Sequence, residues 1–355
     1  MKKLIALLLC LVMVLGLVAC GNKAEETSTP AEEAAEAPAQ EAETSNEAEP
    51  AGTSSSGNGA SGHKVGFIQL TLGTTYHAAM SEKFEAICKE SGVDAVMTCS
   101  QNRTAEEQLQ LAEDLIAQGV EAMVLNPVGD EIVPSIVSLC ENAGIPLICV
   151  DNTSAGSGYT YVGIDNFAIA RGIGQYVADN YDGGKTVYVR STPTDTGCPA
   201  FRFGGVMGGL ADGGEVARFE LIDERYAPSD VGENDGLNQM EELLAANDEI
   251  NVVIVHHDAQ ALGALTAIKN AGRTDIKVIT GFDGEKAFFD AMKENAGGAN
   301  GPDLVTGLNS PIMIAEKTLE VLNAYFNGEA IEAEYLMPVV IVNYENVDEY
   351  YDYGF

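Results

Sequence analysis

Two spacings of apolar residues alternate along most of this chain. Short β-branched runs stand at 65–70, 95–99, 122–125, 147–150, 161–164, 186–189, 252–255, 278–280 and 305–308. Between them lie longer stretches in which apolar residues return every three or four positions, at 78–89, 105–117, 132–142, 168–180, 237–246 and 261–271. The first spacing predicts strands and the second predicts helices. Their regular alternation predicts β-α-β units and hence an α/β fold with parallel sheets. Near-continuous apolar runs such as Ile145-Pro146-Leu147-Ile148-Cys149-Val150 predict strands covered on both faces.

The first sixty residues break this pattern. Lys2 and Lys3 precede an apolar run from Leu4 to Val18, too short for the roughly 20 residues of a spanning helix, so residues 1–19 are read as a secretory signal peptide. The run closes on Leu17-Val18-Ala19-Cys20-Gly21, which resembles the lipobox of bacterial lipoproteins. That resemblance implies cleavage before Cys20 and a lipid on its thiol, anchoring the chain to the extracytoplasmic face of the cell membrane. Residues 20–62 are then rich in Glu, Ala, Ser, Thr, Pro and Gly and lack aromatics. Such a segment cannot bury enough apolar surface to offset its ordering entropy, and its glutamates repel one another. It is expected to be a disordered acidic tether.

The remainder is long enough for two lobes of ordinary domain size. A formal net charge of −35 repels phosphate backbones and argues against nucleic acid as a partner. Beyond Cys10 and Cys20 there are Cys88, Cys99, Cys140, Cys149 and Cys198, an odd number with no Cys-x-x-Cys pair. Buried free thiols are the simpler reading, and one disulfide stays open in an oxidising compartment.

Polar residues gather where the predicted strands end. Asn126 follows Met123-Val124-Leu125, Asp151 and Asn152 follow Cys149-Val150, Asp165 follows Val162-Gly163-Ile164, and Asp283 follows Gly281-Phe282. Open parallel sheets bind ligands beyond the carboxyl ends of their strands. Any one of these residues could be a helix cap, but four in successive units predict a cleft. Motifs for other chemistry are missing. Gly172-Ile173-Gly174 lies inside a helical stretch without a third glycine, and there is no Gly-x-Ser-x-Gly elbow, His-Glu-x-x-His pair or phosphate loop. His256 and His257 leave a strand toward opposite faces, and 230–235 lacks the ligand spacing of a calcium loop. No metal, no cofactor and no catalysis are expected.

Several motifs together resemble periplasmic binding proteins of the ribose- and galactose-binding type. They are Gln108-Leu109-Gln110-Leu111-Ala112-Glu113-Asp114-Leu115-Ile116-Ala117-Gln118-Gly119-Val120, Leu125-Asn126-Pro127, Tyr161-Val162-Gly163-Ile164-Asp165-Asn166, Arg202-Phe203-Gly204-Gly205-Val206, Asp258-Ala259-Gln260-Ala261-Leu262-Gly263 and Gly281-Phe282-Asp283-Gly284. The resemblance spans 63–355 and implies two Rossmann-like α/β lobes joined by three crossing strands. Lobe boundaries are expected at 63–164 plus 309–337 and at 165–308 plus 338–355. The matched positions imply a ligand site from Tyr76, His77, Asn126, Asp151, Asn152, Arg202, His257, Phe282, Asp283 and Asn309. Carboxylates accept from adjacent hydroxyls, a guanidinium donates in a planar fork, and an aromatic face covers the C–H face of a sugar ring. Against this stand simpler readings: Asp151 and Asp283 as helix caps, Arg202 in a surface ion pair, and Tyr76 and Phe282 as core. The chain also departs from the family. Asn152 stands where ribose-type members carry arginine, and Gly73-Thr74-Thr75-Tyr76-His77 carries fewer aromatics than usual.

The expected function is capture of a monosaccharide or polyol by a monomeric binding protein for an ABC permease and its ATPase. A sensory receptor presenting a sugar or quorum-type signal to a chemoreceptor or kinase shares the same fold and cleft. Neighbouring genes separate the two.

Overall fold

The computed structural model describes residues 59–191, 197–212, 218–226 and 232–355, and the signal peptide, Cys20 and most of the tether lie outside these residues. The first sheet has the order β11-β5-β4-β3-β1-β2, built from β1 (Lys64–Gln69), β2 (Asp94–Cys99), β3 (Ala122–Leu125), β4 (Leu147–Val150), β5 (Thr160–Gly163) and β11 (Glu334–Leu336). All its pairings are parallel. The second has the order β12-β10-β9-β8-β6-β7, from β6 (Gly184–Arg190), β7 (Phe219–Tyr226), β8 (Val252–Val255), β9 (Val278–Thr280), β10 (Asp303–Gly307) and β12 (Ile341–Val342). Here only the β10–β12 pair is antiparallel. The chain thus forms two α/β lobes. It passes from the first sheet to the second between β5 and β6, returns between β10 and β11, and leaves again between β11 and β12.

Central strands β3, β4 and β8 are buried along their whole length, as their unbroken apolar runs require. The helices between strands start and stop on local chemistry. Thr104 caps α2 (Ala105–Ala117) by accepting from Glu107 N, and Gly144 closes α3 (Val133–Ala143) at φ 70°. Helix α1 (Thr75–Glu90) starts three residues earlier than the apolar period suggests, because Thr74 is its N-cap.

Several elements fall outside the predicted runs, the helices and strands after residue 308 among them, and for two elements the reason is identifiable. Helix α5 (Gly197–Asp212) packs against α4 (Asn166–Asn180) through Gly205 and Gly209. A Cβ on them would lie 2.5 Å from Phe167 O and 2.0 Å from Arg171 O. These glycines permit close helix contact while erasing the helical signature. Strand β7 reads Phe-Glu-Leu-Ile-Asp-Glu-Arg-Tyr, an edge strand whose charges hide its alternation. Residues 59–62, which composition groups with the tether, are seated on α9 (Pro311–Phe326) and the turn after it. Gly59 N and Ala60 N donate to Asn327 Oδ1 and Asn323 Oδ1 at 2.9 and 2.8 Å, and Ala60 is fully buried. All five cysteines of the described residues are free thiols. Burial pushes Cys88 and Cys140 up to about 12, which keeps them inert. Among the described residues no helix is long and apolar enough to cross a membrane.

Candidate functional site

The carboxyl ends of both sheets meet in one hydrogen-bonded cluster. Asp151 leaves β4 and Asn126 leaves β3, while Tyr76 and His77 stand in the first turn of α1 after β1. From the second sheet come Asp283 after β9, Asn309 after β10 and Arg202 on α5 after β6. Tyr76 Oη lies 3.0 Å from Asp151 Oδ1 and 3.0 Å from Asn309 Oδ1, so its one proton serves either oxygen. Asn309 Nδ2 donates to Asp283 Oδ1 at 3.1 Å, and Arg202 Nη2 donates to the same oxygen at 3.0 Å. A continuous chain of polar contacts therefore runs from Asp151 of the first sheet to Arg202 beside the second.

Each charged group is held by a frame that leaves part of it unused. Arg202 Nε donates to Asn166 Oδ1 and Nη1 to His256 O, and its guanidinium stacks 3.6 Å from the centroid of the Phe282 ring. Asp151 Oδ2 accepts from Asn126 Nδ2 at 3.0 Å and lies 3.4 Å from His77 Nε2. Asn126 is itself fixed, donating 2.8 Å to Gln69 Oε1 while its carbonyl accepts from Gln108 Nε2. Asn152 donates through Nδ2 to Pro127 O, bracing the loop rather than adding charge. His257 caps α7 (Asp258–Ala271), its Nδ1 accepting from Gln260 N. Within the predicted site, Asp283 Oδ2 and the buried His257 Nε2 have no hydrogen-bond partner among the described residues.

The electrostatics favour fixed protonation states. Burial pushes the Tyr76 hydroxyl up, and the charges of Asp151 and Asp283 push it further, so it remains a donor. Burial also lifts Asp151, but hydrogen bonds from His77, Asn126 and Tyr76 outweigh it and hold the carboxyl below its usual range. Burial lifts Asp283 despite its pairing with Arg202. Burial and the Arg202 charge drive His257 down to about 3, leaving a neutral ring. With Nδ1 accepting, its proton sits on Nε2, the atom that lacks a partner.

The backbone is strained at both carboxylates. Asp151 has φ 58° and Asp283 has φ 113°. Such residues cost about 1–3 kcal/mol each and persist where the surroundings over-determine them. Asp283 is pinned between strands, its N donating to Gly307 O and its O accepting from Asn309 N, both at 2.9 Å. Neither carboxylate caps a helix. No helix follows Asp151 before β5, and α8 (Lys286–Asn295) has Glu285 at its N-cap with no side-chain bond. The surface ion-pair reading of Arg202 is also excluded, since the residue is 7% exposed.

Three contributors carried no sequence signal of their own. Gln69 looks like an ordinary strand-end polar residue, and Asn166 like a helix opener. Asp258 sits inside the helix motif, yet its Oδ2 accepts from Gly284 N and Glu285 N at 2.7 and 2.8 Å. Its Oδ1 accepts from Thr306 Oγ1 at 2.7 Å, so it shapes the loop that carries Asp283. Polar residues buried at the end of a strand are the only hint that could have pointed to them.

Thr74 Oγ1 caps α1, accepting from His77 N, and lies 2.6 Å from His77 Nδ1, which orients the His77 ring toward Asp151. Two open cavities of about 670 and 370 Å³ lie elsewhere, one along β7 and α6 (Glu233–Ala246), the other beside α3 and Tyr159.

Residues 65–330 match the family described as periplasmic binding protein domain. The chain belongs to that family. Among curated periplasmic binding proteins it is 26% identical over 279 residues to the ribose import binding protein of Escherichia coli (strain K12), covering 78% of this chain and 90% of that one. The ribose import binding protein of Bacillus subtilis (strain 168) is 27% identical over 278 residues, covering 78% and 85%. Among solved structures, an ABC transporter periplasmic solute binding protein from Actinobacillus succinogenes 130z with bound D-allose superposes with a TM-score of 0.71 at 22% identity. It covers 81% of this chain and all of that one. The binding-protein component of the arabinose ABC transporter from Shewanella sp. ANA-3, bound to L-arabinofuranose, gives 0.70 at 24% identity, covering 81% and 94%. The fold of this periplasmic binding protein is therefore that of type I members, two parallel-sheet lobes with flanking helices.

Proposed function

We propose that this protein captures a monosaccharide between its two lobes and delivers it to an ABC importer, without catalysis. The observation that carries this reading is the polar chain Asp151–Tyr76–Asn309–Asp283–Arg202, which spans both sheets and leaves Asp283 Oδ2 and His257 Nε2 unpaired. Sugar hydroxyls both donate and accept, so they suit an unpaired carboxylate oxygen and an unpaired N–H alike. The Tyr76 ring offers an apolar face next to these groups, whereas Phe282 is buried in the core beneath the Arg202 guanidinium and supports the site from behind. Relatives named for ribose, xylitol, D-apiose and D-allose point to the same ligand class. Asn152 in place of arginine removes one bidentate donor, which turns the preference away from plain ribose toward another pentose, a hexose or a polyol.

The moving bodies in this reading are 63–164 plus 309–337 and 165–308 plus 338–355. Ligand touching both would shift the population from open to closed, and a permease would read the closed pair. A thermal-shift panel of pentoses, hexoses and polyols tests the ligand class. At a hundredfold excess over Kd the bound form gains about 2.7 kcal/mol, several degrees of melting temperature. A panel that moves the transition nowhere at millimolar sugar contradicts the reading.

Lipid anchoring at Cys20 is part of the same proposal and rests on the lipobox-like sequence. An anchor holds the receptor at high effective concentration beside its membrane partner. Mass spectrometry of membrane-extracted protein is expected to find diacylglyceryl on the Cys20 thiol. A mature chain that begins elsewhere and carries no lipid contradicts it.

A further inference from the structure

We propose that Phe355 and Tyr76 form an aromatic latch across the cleft, making Phe355 a positioning residue for the sugar site; the inference rests on the sugar-binding reading above. The Phe355 ring meets the Tyr76 ring edge to face, with centroids 5.4 Å apart and planes at 86°. That is the favoured arrangement of two aromatic quadrupoles. Tyr76 belongs to α1 beside the first sheet. Phe355 is anchored on the other side, its carbonyl accepting from Lys286 N at 3.1 Å.

The segment before Phe355 is stitched to the loops that carry the site. Tyr353 O accepts from Ser310 Oγ at 2.6 Å, one residue after Asn309. Gly354 is buried, and a Cβ there would lie 3.0 Å from Gly284 O, beside Asp283. Farther back, Tyr351 donates to Asp290 Oδ1 at 2.9 Å and its ring lies 3.9 Å beneath Lys293 Nζ. The backbone of the segment is thus held to the second lobe through Lys286, Asp290 and Lys293 and to the chain crossing at Ser310, while its last ring touches the first lobe.

Two consequences follow from that placement. The Phe355 ring fixes the plane of Tyr76, whose hydroxyl must stay within reach of both Asp151 and Asn309. Because the contact joins the lobes, it must break before release. A latch of this kind acts on dissociation more than on association.

The test is stopped-flow binding of the panel sugar with the largest thermal shift to wild type, Phe355→Ala, Phe355→Leu and Phe355→Tyr. Small-angle scattering of the four unliganded proteins accompanies it. Phe355→Ala is expected to release sugar about tenfold faster while association changes less than about twofold. Phe355→Tyr restores most of the loss, Phe355→Leu restores part, and the radius of gyration of Phe355→Ala rises above wild type. Dissociation unchanged in Phe355→Ala, with wild type binding sugar normally, overturns the latch and leaves the sugar reading standing. If wild type binds no panel sugar, that reading fails, and scattering then decides the latch: an unchanged radius of gyration overturns it. Should Phe355→Ala not fold, Phe355→Leu keeps the packing volume, and a release rate equal to wild type in it overturns the aromatic pairing.

Discussion

Alanine at Asp151, Arg202 or Asp283 is expected to weaken sugar binding by about thirty-fold or more, because losing a charged partner in a nearly dry site costs about 2–5 kcal/mol. The three variants should differ in stability, and the difference is diagnostic. Arg202→Ala strands the Asp283 carboxylate with Asn309 as its one remaining donor, and unpairing a buried charge costs about 3–5 kcal/mol. Asp151→Ala removes an acceptor from Tyr76 and Asn126, both of which keep another partner, Asn309 and Gln69 respectively. It should therefore melt close to wild type, at a cost nearer 1 kcal/mol. Calorimetric titration beside melting curves separates these effects. Affinity preserved in all three, with stability lost, would reduce the cluster to a structural network.

Asp258→Ala should be the most damaging single change to the fold. The carboxylate is fully buried, accepts three hydrogen bonds, and packs where a Cβ on Gly281 would lie 2.0 Å from Asp258 Oδ1. Truncation leaves Gly284 N and Glu285 N without an acceptor and opens a void, a loss of about 3–5 kcal/mol in chemical denaturation. Asp258→Asn keeps one acceptor oxygen and should lose less. Burial, followed by the charges of Glu285 and Asp283, holds the Asp258 carboxyl well above its usual range in the folded state. Its protonated form is thus favoured by folding, a contribution present below the unfolded pKa of about 3.9 and lost as pH rises through the folded value. Acidification should therefore stabilise wild type relative to Asp258→Asn. Equal pH slopes for the two proteins, or an Asp258→Ala that melts like wild type, would contradict this role.

The strand-and-helix alternation was legible because central strands are buried on both faces and their apolar runs are unbroken. Charged edge strand β7 and glycine-rich α5 were not legible, since an edge need not be apolar and a close helix contact requires glycine where periodicity needs a side chain. At the site, Asp151 and Asp283 stood out by their position after apolar strands. What the sequence could not convey was pairing. Arg202 and Asp283 are 81 positions apart, yet hold each other, and Asn309 and Tyr76 meet across 233 positions. Framing residues such as Gln69 and Asp258 are silent for the same reason: their hydrogen bonds go to chain segments that only the fold brings near.

A crystal structure of the protein with the sugar giving the largest thermal shift tests the central claim most directly. One sugar is expected between the lobes, with hydroxyls on Asp151, Asp283 Oδ2, Arg202 and His257 Nε2 and the Tyr76 ring beside it. Sugar found instead in the 370 Å³ cavity lined by Asp130, Thr153 and Tyr159, with the cleft empty, would contradict it.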